Sequence, residues 1–600
     1  MALQFYVLTP PSSSKNVSLS RYIAPRVQNN SHLSSRFRCF SIPVTFEQTV
    51  PRRSEHFQYE PTIWDYDFVE SLESSFAGEA YTDKTEKLKG DVRIMLEKAV
   101  GSLAQFELID VLERLGIGHL FGEEINKSLN RIYSYKDKFI KDNLYATALT
   151  FRIFRQHGFQ ISQDVFKVYM DETAKFKESV CQDVKGLLSL YEASHLVAGG
   201  EKILDEALSF TRKHLKDHLE KGIIEPNLAA QVSRSLEIPI HWRMLRSEAR
   251  WYMDVYEKEK SMNPSLLQLA KVDFNMVQAT LQTDLRNMSR WWRNLGVATK
   301  LTFARDRLVE SFLWSVGIAY EPQYTRCREW LTKVMNFVLI IDDIYDVYGS
   351  LEELELFTDA VERWDHKAMD KLPYYMKICF LALYNTTNDM AYDILKEQGW
   401  DILPYLTKSW TNFIKAMLVE AKWFKTGYTP SLQEYLNNGW LSSSGSVFLV
   451  HAFFATKQKI TSEALEGLDK NHNLLYCSSM MFRLSNDLAT SSAELERGDV
   501  ASSIFCYMRE ANASEGDARK HIKGIIMDTW KKMNRSIFES PFDPAFVNIA
   551  VNLARTSLFI YQYGDGLGVE DSQSKEHILS LIVNPVEVEL NNAQFNLSVA

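Results

Sequence analysis

Three aspartates form the pattern with the clearest chemical meaning in this sequence of 600 residues: Asp342, Asp343 and Asp346. The residues from Val334 to Ile341 are almost all apolar, which predicts a helix that is buried nearly all round. Asp342 and Asp346 are four residues apart, so their carboxylates project from one face of this helix. Neighbouring carboxylates at the end of a buried helix repel each other and are costly unless a cation neutralises them. The pattern therefore predicts a Mg²⁺ site, because Mg²⁺ takes oxygen ligands and shares them with phosphates.

Asn486, Thr490 and Glu494 form a second set of oxygen ligands at a regular spacing of four residues. On a helix they form a slowly drifting stripe along one face. Their amide, hydroxyl and carboxylate oxygens could hold a further cation with less charge than three acids. Either set alone could be the ordinary polarity of a helix end or surface, but two sets in one chain favour a metal centre.

Arginines near both sets could bind the anion that such metals would hold. Arg305 and Arg307 flank Asp306, and Arg483 lies three residues before Asn486. Guanidinium groups stay protonated and match the oxygens of a diphosphate. A surface salt-bridge pair is the alternative for Arg305 and Arg307, whereas Arg483 lies one helical turn from a predicted metal ligand. We interpret all three arginines as diphosphate ligands.

Aromatic side chains in the second half of the sequence could line a pocket for a cationic intermediate, because aromatic faces stabilise a cation without reacting with it. The candidates are Trp291, Trp292, Trp314, Phe448, Phe482, Tyr561 and Tyr563. Core packing is the commoner role of such residues, and we select Trp314, Phe482 and Tyr563 as pocket walls. Tyr563 also begins the segment Tyr-Gly-Asp-Gly, which predicts a loop that could close over a ligand.

Several other chemistries have no support in the sequence. It contains no Gly-rich nucleotide-binding loop, no plausible Ser–His–Asp set and no DxDD pattern that would protonate an alkene. The six cysteines form no CxxC pair, so neither a zinc site nor a disulfide framework is indicated. The formal net charge of -9 argues against non-specific nucleic-acid binding, and no apolar run is long enough for a membrane span.

The elements that must position these residues are predicted to be helices. The sequence has only 25 glycines and 16 prolines, and helical periodicity dominates from about Trp64 onward. A charged segment leads into Asn263-Pro264, where proline tends to end a helix. We therefore expect two helical domains, at residues 64–262 and 265–600, with every predicted site residue in the second domain.

The start of the chain has a different composition. Residues 1–46 contain no acid, and Glu47 is the first. They carry arginines and many serines, which is typical of an organelle transit peptide. A merely disordered tail is the alternative. We expect residues 47–63 to form a strap that leads into the first domain.

Taken together, these residues resemble the plant terpene synthase family from Arg52 nearly to the end of the chain. The two metal motifs and the RxR arginine pair match the family in type and order. The stretches Leu144–Leu149, Arg155–Gly158 and Ser442–Gly445 are also similar to the family. The resemblance implies an all-α fold with an N-terminal helical barrel-like domain and a C-terminal class I terpenoid synthase bundle.

The resemblance also implies roles for individual residues. Three Mg²⁺ ions, for which Mn²⁺ sometimes substitutes, would bind in the C-terminal domain. Their ligands would be Asp342, Asp343, Asp346, Asn486, Thr490 and Glu494. The catalytic residues would be Asp342, Asp346, Arg305 and Arg483. From the residue types themselves, we also expect the substrate to contact Arg307, Asn486, Trp314, Phe482 and Tyr563. The enzyme would be a carbon–oxygen lyase that ionises a prenyl diphosphate and releases diphosphate.

The leader and Arg52-Arg53 point to the monoterpene branch of the family, which uses geranyl diphosphate in plastids. That branch usually has eight residues between the arginine pair and a tryptophan, whereas ten residues separate Arg53 from Trp64. Because this motif is associated with the isomerisation before cyclisation, we expect an acyclic product such as (E)-β-ocimene or myrcene. A harmless insertion in the strap is the alternative. Isoprene synthases carry a phenylalanine where Met335 stands, which favours a ten-carbon substrate.

Other products and another class of protein stay open. Within the family, the alternatives are linalool formed by water capture, a cyclic monoterpene, farnesene from farnesyl diphosphate, and isoprene. A chain-elongating prenyltransferase would carry a second aspartate-rich motif, which this sequence lacks. A non-catalytic helical scaffold is the alternative of a different class, although unpaired buried acids would only destabilise it. We expect a monomer or a weak homodimer.

Overall fold

Helices dominate the chain in a computed structural model, which describes residues 59–99, 101–134, 143–456, 458–497, 502–562, 564, 566–567 and 572–588. Within these ranges there is no strand, and the only β-bridge is an isolated pair between Met170 and Phe176. The all-α class predicted from the sequence is therefore confirmed for the described part of the chain. None of its helices is both long enough and apolar enough to cross a membrane.

The α-helices described before residue 263 cover the first predicted domain. They are α1 (Tyr66–Ser71), α2 (Glu79–Lys98), α3 (Ser102–Arg114), α4 (Gly122–Tyr133), α5 (Leu144–Gln156), α6 (Val184–Ser194), α7 (Lys202–Lys221), α8 (Pro226–Glu237) and α9 (Leu245–Tyr256). Short 3₁₀ helices connect several of them. These are Ser75–Ala77, Gly118–Phe121, Gln163–Tyr169, Glu178–Gln182 and Ile240–Trp242.

The α-helices described after residue 263 cover the second predicted domain. They are α10 (Pro264–Leu295), α11 (Val297–Lys300), α12 (Leu308–Ile318), α13 (Thr325–Asp343), α14 (Leu351–Arg363), α15 (Tyr374–Gln398), α16 (Leu403–Thr426), α17 (Leu432–Ser442), α18 (Gly445–Ala455), α19 (Ser462–Asp469), α20 (Asn473–Arg497), α21 (Ser503–Ala511), α22 (Glu515–Phe538), α23 (Pro544–Ile560) and α24 (Ser572–Ile578). The 3₁₀ helices here are Pro322–Tyr324 and His366–Lys371, and the π-helical turns are Ile344–Tyr348 and Leu579–Val583.

Helix α10 begins at Pro264, where the sequence predicted a domain boundary. Proline is favourable in a first helical turn, because its missing N–H would have no partner there. Asn263 caps this end, since its Oδ1 accepts hydrogen bonds from the backbone N–H of Ser265 at 2.9 Å and of Leu266 at 3.3 Å. Helix α10 packs against α1, α2 and α9 and also against α12 and α13. The described residues all belong to one compact unit, so the position of the boundary stays a prediction.

The innermost helices of the second half are buried on nearly every side. All residues of α12 and of α18 are buried, and α13 is buried along most of its length, as its apolar run predicted. Helix α13 packs against α12 and α18, and α20 packs against α18 and α23. This buried layer therefore carries both predicted metal motifs, one on α13 and one on α20.

Candidate active site

The aspartate motif lies where the backbone of α13 changes its winding. Helix α13 ends at Asp343, and the π-helical turn Ile344–Tyr348, which carries Asp346, follows directly. Such π turns are rare and frequently occur at functional sites. The Asp343 side chain is fully buried, whereas 36% of the Asp342 side chain is exposed. The two neighbouring acids therefore have different surroundings.

Arg305 forms ion pairs with both of these acids. Its Nη2–H donates to Asp342 Oδ2, and its Nε lies 2.9 Å from Asp343 Oδ1. Its backbone N–H donates to Asp343 Oδ2 at 2.8 Å. The Tyr59 hydroxyl also hydrogen bonds to Asp343, and the Tyr59 ring centroid lies 4.9 Å from the guanidinium carbon. Asp343 thus holds Arg305 in place. The role of Asp343 as a metal ligand stays a prediction.

The acids of this motif carry more negative charge than Arg305 balances. Burial raises the pKa of Asp342 to about 7, and repulsion from Asp346 and Asp343 adds to this effect. Burial also raises the pKa of Asp343, although the charge of Arg305 opposes the shift. Carboxylates whose ionisation is unfavourable in this way suit a hard divalent cation, because such a cation takes oxygen ligands and displaces their protons. The chemistry of these donors is consistent with the predicted Mg²⁺ site.

Helix α20 places the second motif beside a buried polar cluster. Arg483 Nη2–H donates to Asn486 Oδ1 at 3.0 Å, and its Nη1–H donates to the Tyr435 hydroxyl at 3.3 Å. The Tyr435 hydroxyl donates to Asp487 Oδ1 at 2.9 Å. The backbone N–H of Ser503 donates to Asp487 Oδ2 at 3.0 Å. Asp487 and Tyr435, neither of them predicted from the sequence, therefore fix Arg483 next to Asn486.

The rest of the second motif is described only in part. Thr490 lies one turn after Asn486, and its hydroxyl donates to the Asn486 carbonyl oxygen at 3.0 Å. Glu494 belongs to α20, but its side chain lies outside the described residues. Tyr563, the third predicted pocket wall, also lies outside them. The ligand role of Glu494 and the pocket role of Tyr563 stay predictions.

Glu420 connects the two motifs electrostatically and was missed from the sequence. It is a buried residue of α16, and its Oε1 accepts hydrogen bonds from the Ser442 hydroxyl at 2.5 Å and the Asn438 amide at 3.0 Å. Burial raises the pKa of Glu420, the charge of Arg483 lowers it, and the charge of Asp346 raises it. Helix α16 packs against the π-helical turn Ile344–Tyr348, which carries Asp346, and against α17, which in turn packs against α20. The two motifs therefore face a shared site.

An aromatic cluster lies one helical turn before Asn486. The ring of Trp314 on α12 lies 4.8 Å from that of Phe482 and 5.5 Å from that of Tyr561, measured between centroids. The ring of Phe448 on α18 lies 6.1 Å from that of Phe482. Phe482 and Asn486 are four residues apart on α20 and so share one face. Two predicted walls, Trp314 and Phe482, are thus brought together beside the second motif.

A break between two helices lets α18 approach α20 closely. Helix α17 ends at Ser442 and α18 begins at Gly445, with Ser444 in the left-handed region at φ 65°. A Cβ on Gly445 would lie 2.7 Å from the Ser479 Cα on α20, so a larger residue would push the helices apart. Ser443 Oγ–H donates to the Ser479 carbonyl oxygen at 3.1 Å. The break predicted at Ser442–Gly445 is present.

The segment before α1 is attached to the loop that carries the RxR pair. Arg307 is fully buried; its Nη2–H donates to the Glu60 carbonyl oxygen at 2.8 Å and its Nε–H to the Leu567 carbonyl oxygen at 3.1 Å. Trp64 Nε1–H donates to Glu310 Oε1 at 2.8 Å. Arg307 thus joins two distant segments of the chain through their carbonyl groups, and its predicted contact with diphosphate stays a prediction.

Because Asp342 is a predicted metal ligand, its raised pKa leads us to expect that metal affinity depends on pH. The folded protein binds a proton at Asp342 more tightly than the unfolded chain, so stability falls as pH rises from about 4 to about 7. A cation must displace this proton, so its apparent affinity should weaken about tenfold for each pH unit below the raised pKa. We expect Mg²⁺, titrated by its effect on the thermal unfolding midpoint, to bind about tenfold more tightly at about pH 7.5 than at about pH 6. Equal affinity at both pH values, or an unchanged pH dependence in Asp342→Asn, would contradict this.

Two family models match the chain. The metal binding domain of the terpene synthase family matches residues 293–532, and the terpene synthase N-terminal domain matches residues 63–236. The (-)-alpha-terpineol synthase of Vitis vinifera is 55% identical over 544 residues, which are 90% of this chain and 92% of that protein. The chloroplastic myrcene synthase of Quercus ilex is 48% identical over 581 residues, which are 96% of each protein.

A solved structure has the same fold. It is the crystal structure of isoprene synthase from grey poplar leaves (Populus x canescens) in complex with three Mg²⁺ ions and dimethylallyl-S-thiolodiphosphate. It is 48% identical in sequence and superposes with a TM-score of 0.81 over 88% of this chain and 100% of that one. The all-α class with two domains, predicted from the sequence, is confirmed by this similarity.

Proposed function

Because this chain belongs to the terpene synthase family and is a lyase that acts on a prenyl diphosphate, we propose that it ionises geranyl diphosphate with the help of Mg²⁺ and forms an acyclic monoterpene such as (E)-β-ocimene or myrcene. One observation above all supports this: α16, which carries the buried Glu420, packs against the turn with Asp346 and against α17 beside Arg483, and an aromatic cluster lies one helical turn before Asn486. The similarity to plant monoterpene synthases supports the ten-carbon substrate.

The donor set fits Mg²⁺. The proposed ligands are Asp342, Asp343 and Asp346 on the side of α13, and Asn486, Thr490 and Glu494 on α20. Bound ions would polarise the diphosphate oxygens and make diphosphate a better leaving group. Three ions are proposed because the similar isoprene synthase binds three, and Mn²⁺ is proposed as a substitute.

Arginines bind the leaving group in this proposal. Arg305 and Arg483 are held in place by buried carboxylates, Asp343 and Asp487 respectively, so their guanidinium groups are already oriented. Such preorganised charge is most effective where negative charge develops, which here is the bridging oxygen of the diphosphate. Arg307 is proposed as a further contact of the substrate.

The aromatic cluster stabilises the carbocation in this proposal. Trp314 and Phe482 are proposed as walls of the pocket, and Tyr563 is proposed to close it. The faces attract the delocalised allylic cation, and a closed pocket keeps water from quenching it. Loss of a proton from the cation to the released diphosphate gives an acyclic triene. Asp342, Asp346, Arg305 and Arg483 are the proposed catalytic residues.

A cyclic product is the second candidate. The spacing of ten residues between Arg53 and Trp64 supports an acyclic product. The 55% identity with an alpha-terpineol synthase favours cyclisation followed by water capture instead. We retain the acyclic product as the proposal, because the departure in spacing lies in the motif associated with isomerisation before cyclisation.

The location and assembly of the protein belong to the same proposal. Residues 1–46, which lie outside the described residues, are proposed to be a plastid transit peptide. The acid-free composition and the chloroplastic relative from Quercus ilex support this. The enzyme is proposed to work as a monomer or a weak homodimer without nucleic-acid partners.

The test is a product assay with the purified full chain. It would be incubated separately with geranyl, farnesyl and dimethylallyl diphosphate and Mg²⁺, then with Mn²⁺, and volatiles would be identified by gas chromatography–mass spectrometry. We expect an acyclic ten-carbon hydrocarbon from geranyl diphosphate and none without metal. A cyclic or hydroxylated product would favour the second candidate. No product from a folded chain with any substrate would overturn the proposed function.

A further inference from the structure

A cluster in the first half of the chain holds three different metal-binding side chains. The ligand atoms of Glu178, Cys181 and His214 all lie within 4.8 Å of one another. Within the described residues, this is the only group of at least three His, Cys, Asp or Glu side chains that lie so close. We propose that these three residues bind a Zn²⁺ ion, at a site separate from the two motifs of the active site.

The local backbone brings the first two ligands to one side. Glu178 and Cys181 both belong to the 3₁₀ helix Glu178–Gln182. This helix has three residues per turn, so side chains three apart lie directly above one another. The Cys181 thiol accordingly donates to Glu178 Oε2 at 3.4 Å. Cys181 is buried, His214 is partly buried and Glu178 is exposed, so the thiol lies at the base of a site that opens to solvent.

The third proposed ligand, His214, is held in position by aromatic contacts. His214 lies on α7, and its ring centroid is 4.5 Å from that of Phe210, one turn earlier. Phe210 stacks in turn on Phe176 at 5.4 Å. In the described part of the chain, neither ring nitrogen of His214 forms a hydrogen bond, so the imidazole is available as a ligand.

A second histidine of α7 fixes the distance between the two segments. His218 lies one turn after His214, and its Nε2–H donates to the Cys181 carbonyl oxygen at 2.7 Å. Both groups are buried, so this hydrogen bond is protected from water. His218 therefore acts as a positioning residue that presents the Cys181 side chain to His214, much as outer partners orient metal ligands elsewhere.

The donor types select the ion. One sulfur, one nitrogen and one oxygen suit tetrahedral Zn²⁺, with water as the fourth ligand. Mg²⁺ prefers oxygen ligands alone, so the ions of the active site would not compete here. Binding breaks the S–H bond of Cys181, forms a sulfur–zinc bond and releases the proton to solvent. The bound ion would tie the 3₁₀ helix to α7 and stabilise this half of the protein.

The experiment uses Co²⁺ as a spectroscopic substitute for Zn²⁺ in the full chain. A thiolate bound to Co²⁺ gives a charge-transfer band in the near ultraviolet, which oxygen ligands in the active site do not give. We expect one such band per chain, displaced by Zn²⁺ but not by Mg²⁺. Cys181→Ser and His214→Gln should each weaken binding at least about 100-fold, and His218→Gln about 10-fold.

The matched controls are Cys506→Ser, another buried cysteine, and Asp342→Asn in the active site; both should keep the band. Thermal midpoints measured in a chelator show that each variant folds. If Cys181→Ser does not fold, Glu178→Gln on the surface should still weaken binding about 10-fold without changing the metal-free midpoint. A folded wild-type chain without the band, or a band that persists in Cys181→Ser, would overturn the proposal.

Discussion

Asp342→Asn should lower kcat/KM for geranyl diphosphate by about 1,000-fold, which corresponds to about 4 kcal/mol of transition-state stabilisation. Asparagine has almost the same size as aspartate but no charge, so the change removes a proposed metal ligand without leaving a cavity. Asp342 is the acid to choose because 36% of its side chain is exposed, whereas Asp343 is buried and paired. The measurement is release of diphosphate at saturating Mg²⁺, together with the volatile product.

The same variant should fold at least as well as the wild-type chain without metal. Burial and repulsion raise the pKa of Asp342, so its charge costs stability near neutral pH and its removal relieves that cost. Asp343→Asn should behave differently and lower the thermal midpoint, because Arg305 and Tyr59 lose a buried partner. Asp359→Asn, on an exposed face of α14, is the matched control with unchanged turnover. Normal turnover in Asp342→Asn, or a loss of activity explained by unfolding, would disprove the assignment.

The main features of the fold and of both motifs could be predicted because they depend on local patterns. The apolar run before Asp342 determines a buried helix, and the spacing of four residues after Asn486 determines a shared helix face. In each case the physical cause lies within a few residues of its effect.

The partners of the site residues could not be predicted, because they come from distant parts of the chain. Arg307 resembled a diphosphate ligand by type, yet its guanidinium donates to carbonyl groups of Glu60 and Leu567. Every residue has a backbone carbonyl group, so no pattern in the sequence could indicate which carbonyl groups accept these hydrogen bonds. Glu420 could have been identified from the sequence, because it is the only acid in the apolar stretch Met417–Ala421. A buried acid without a local partner indicates a distant cation, which here is Arg483.

The cluster of Glu178, Cys181 and His214 shows the same limit. A zinc site is recognisable in a sequence when its ligands are closely spaced in a familiar pattern. Here 32 residues lie between Cys181 and His214, and a 3₁₀ helix and α7 bring them together only in the folded chain. The absence of a CxxC pair therefore excluded only the common kinds of zinc site.

Arg483→Gln should lower kcat/KM by at least about 100-fold and also destabilise the fold by about 3–5 kcal/mol. Arg483, with 19% of its side chain exposed, is the cation that the buried Asp487 and Glu420 face, and its removal leaves both carboxylates without their charge partner. It also packs against Gly439, where a Cβ would lie 3.2 Å from its side chain, so a larger residue at position 439 would crowd Arg483. Thermal unfolding and steady-state turnover of the same preparations measure the two effects.

Combining this change with Glu420→Gln separates the two roles of Arg483. The second substitution removes one of the unpaired buried charges, so it should recover part of the lost stability. If Arg483 also binds the leaving diphosphate, activity should stay low in the double variant, because a neutral Glu420 cannot stabilise a leaving anion. Recovery of activity together with stability would show that Arg483 is structural only. Arg509→Gln, whose guanidinium donates to the Thr429 carbonyl oxygen near the surface, is the matched control and should retain both properties.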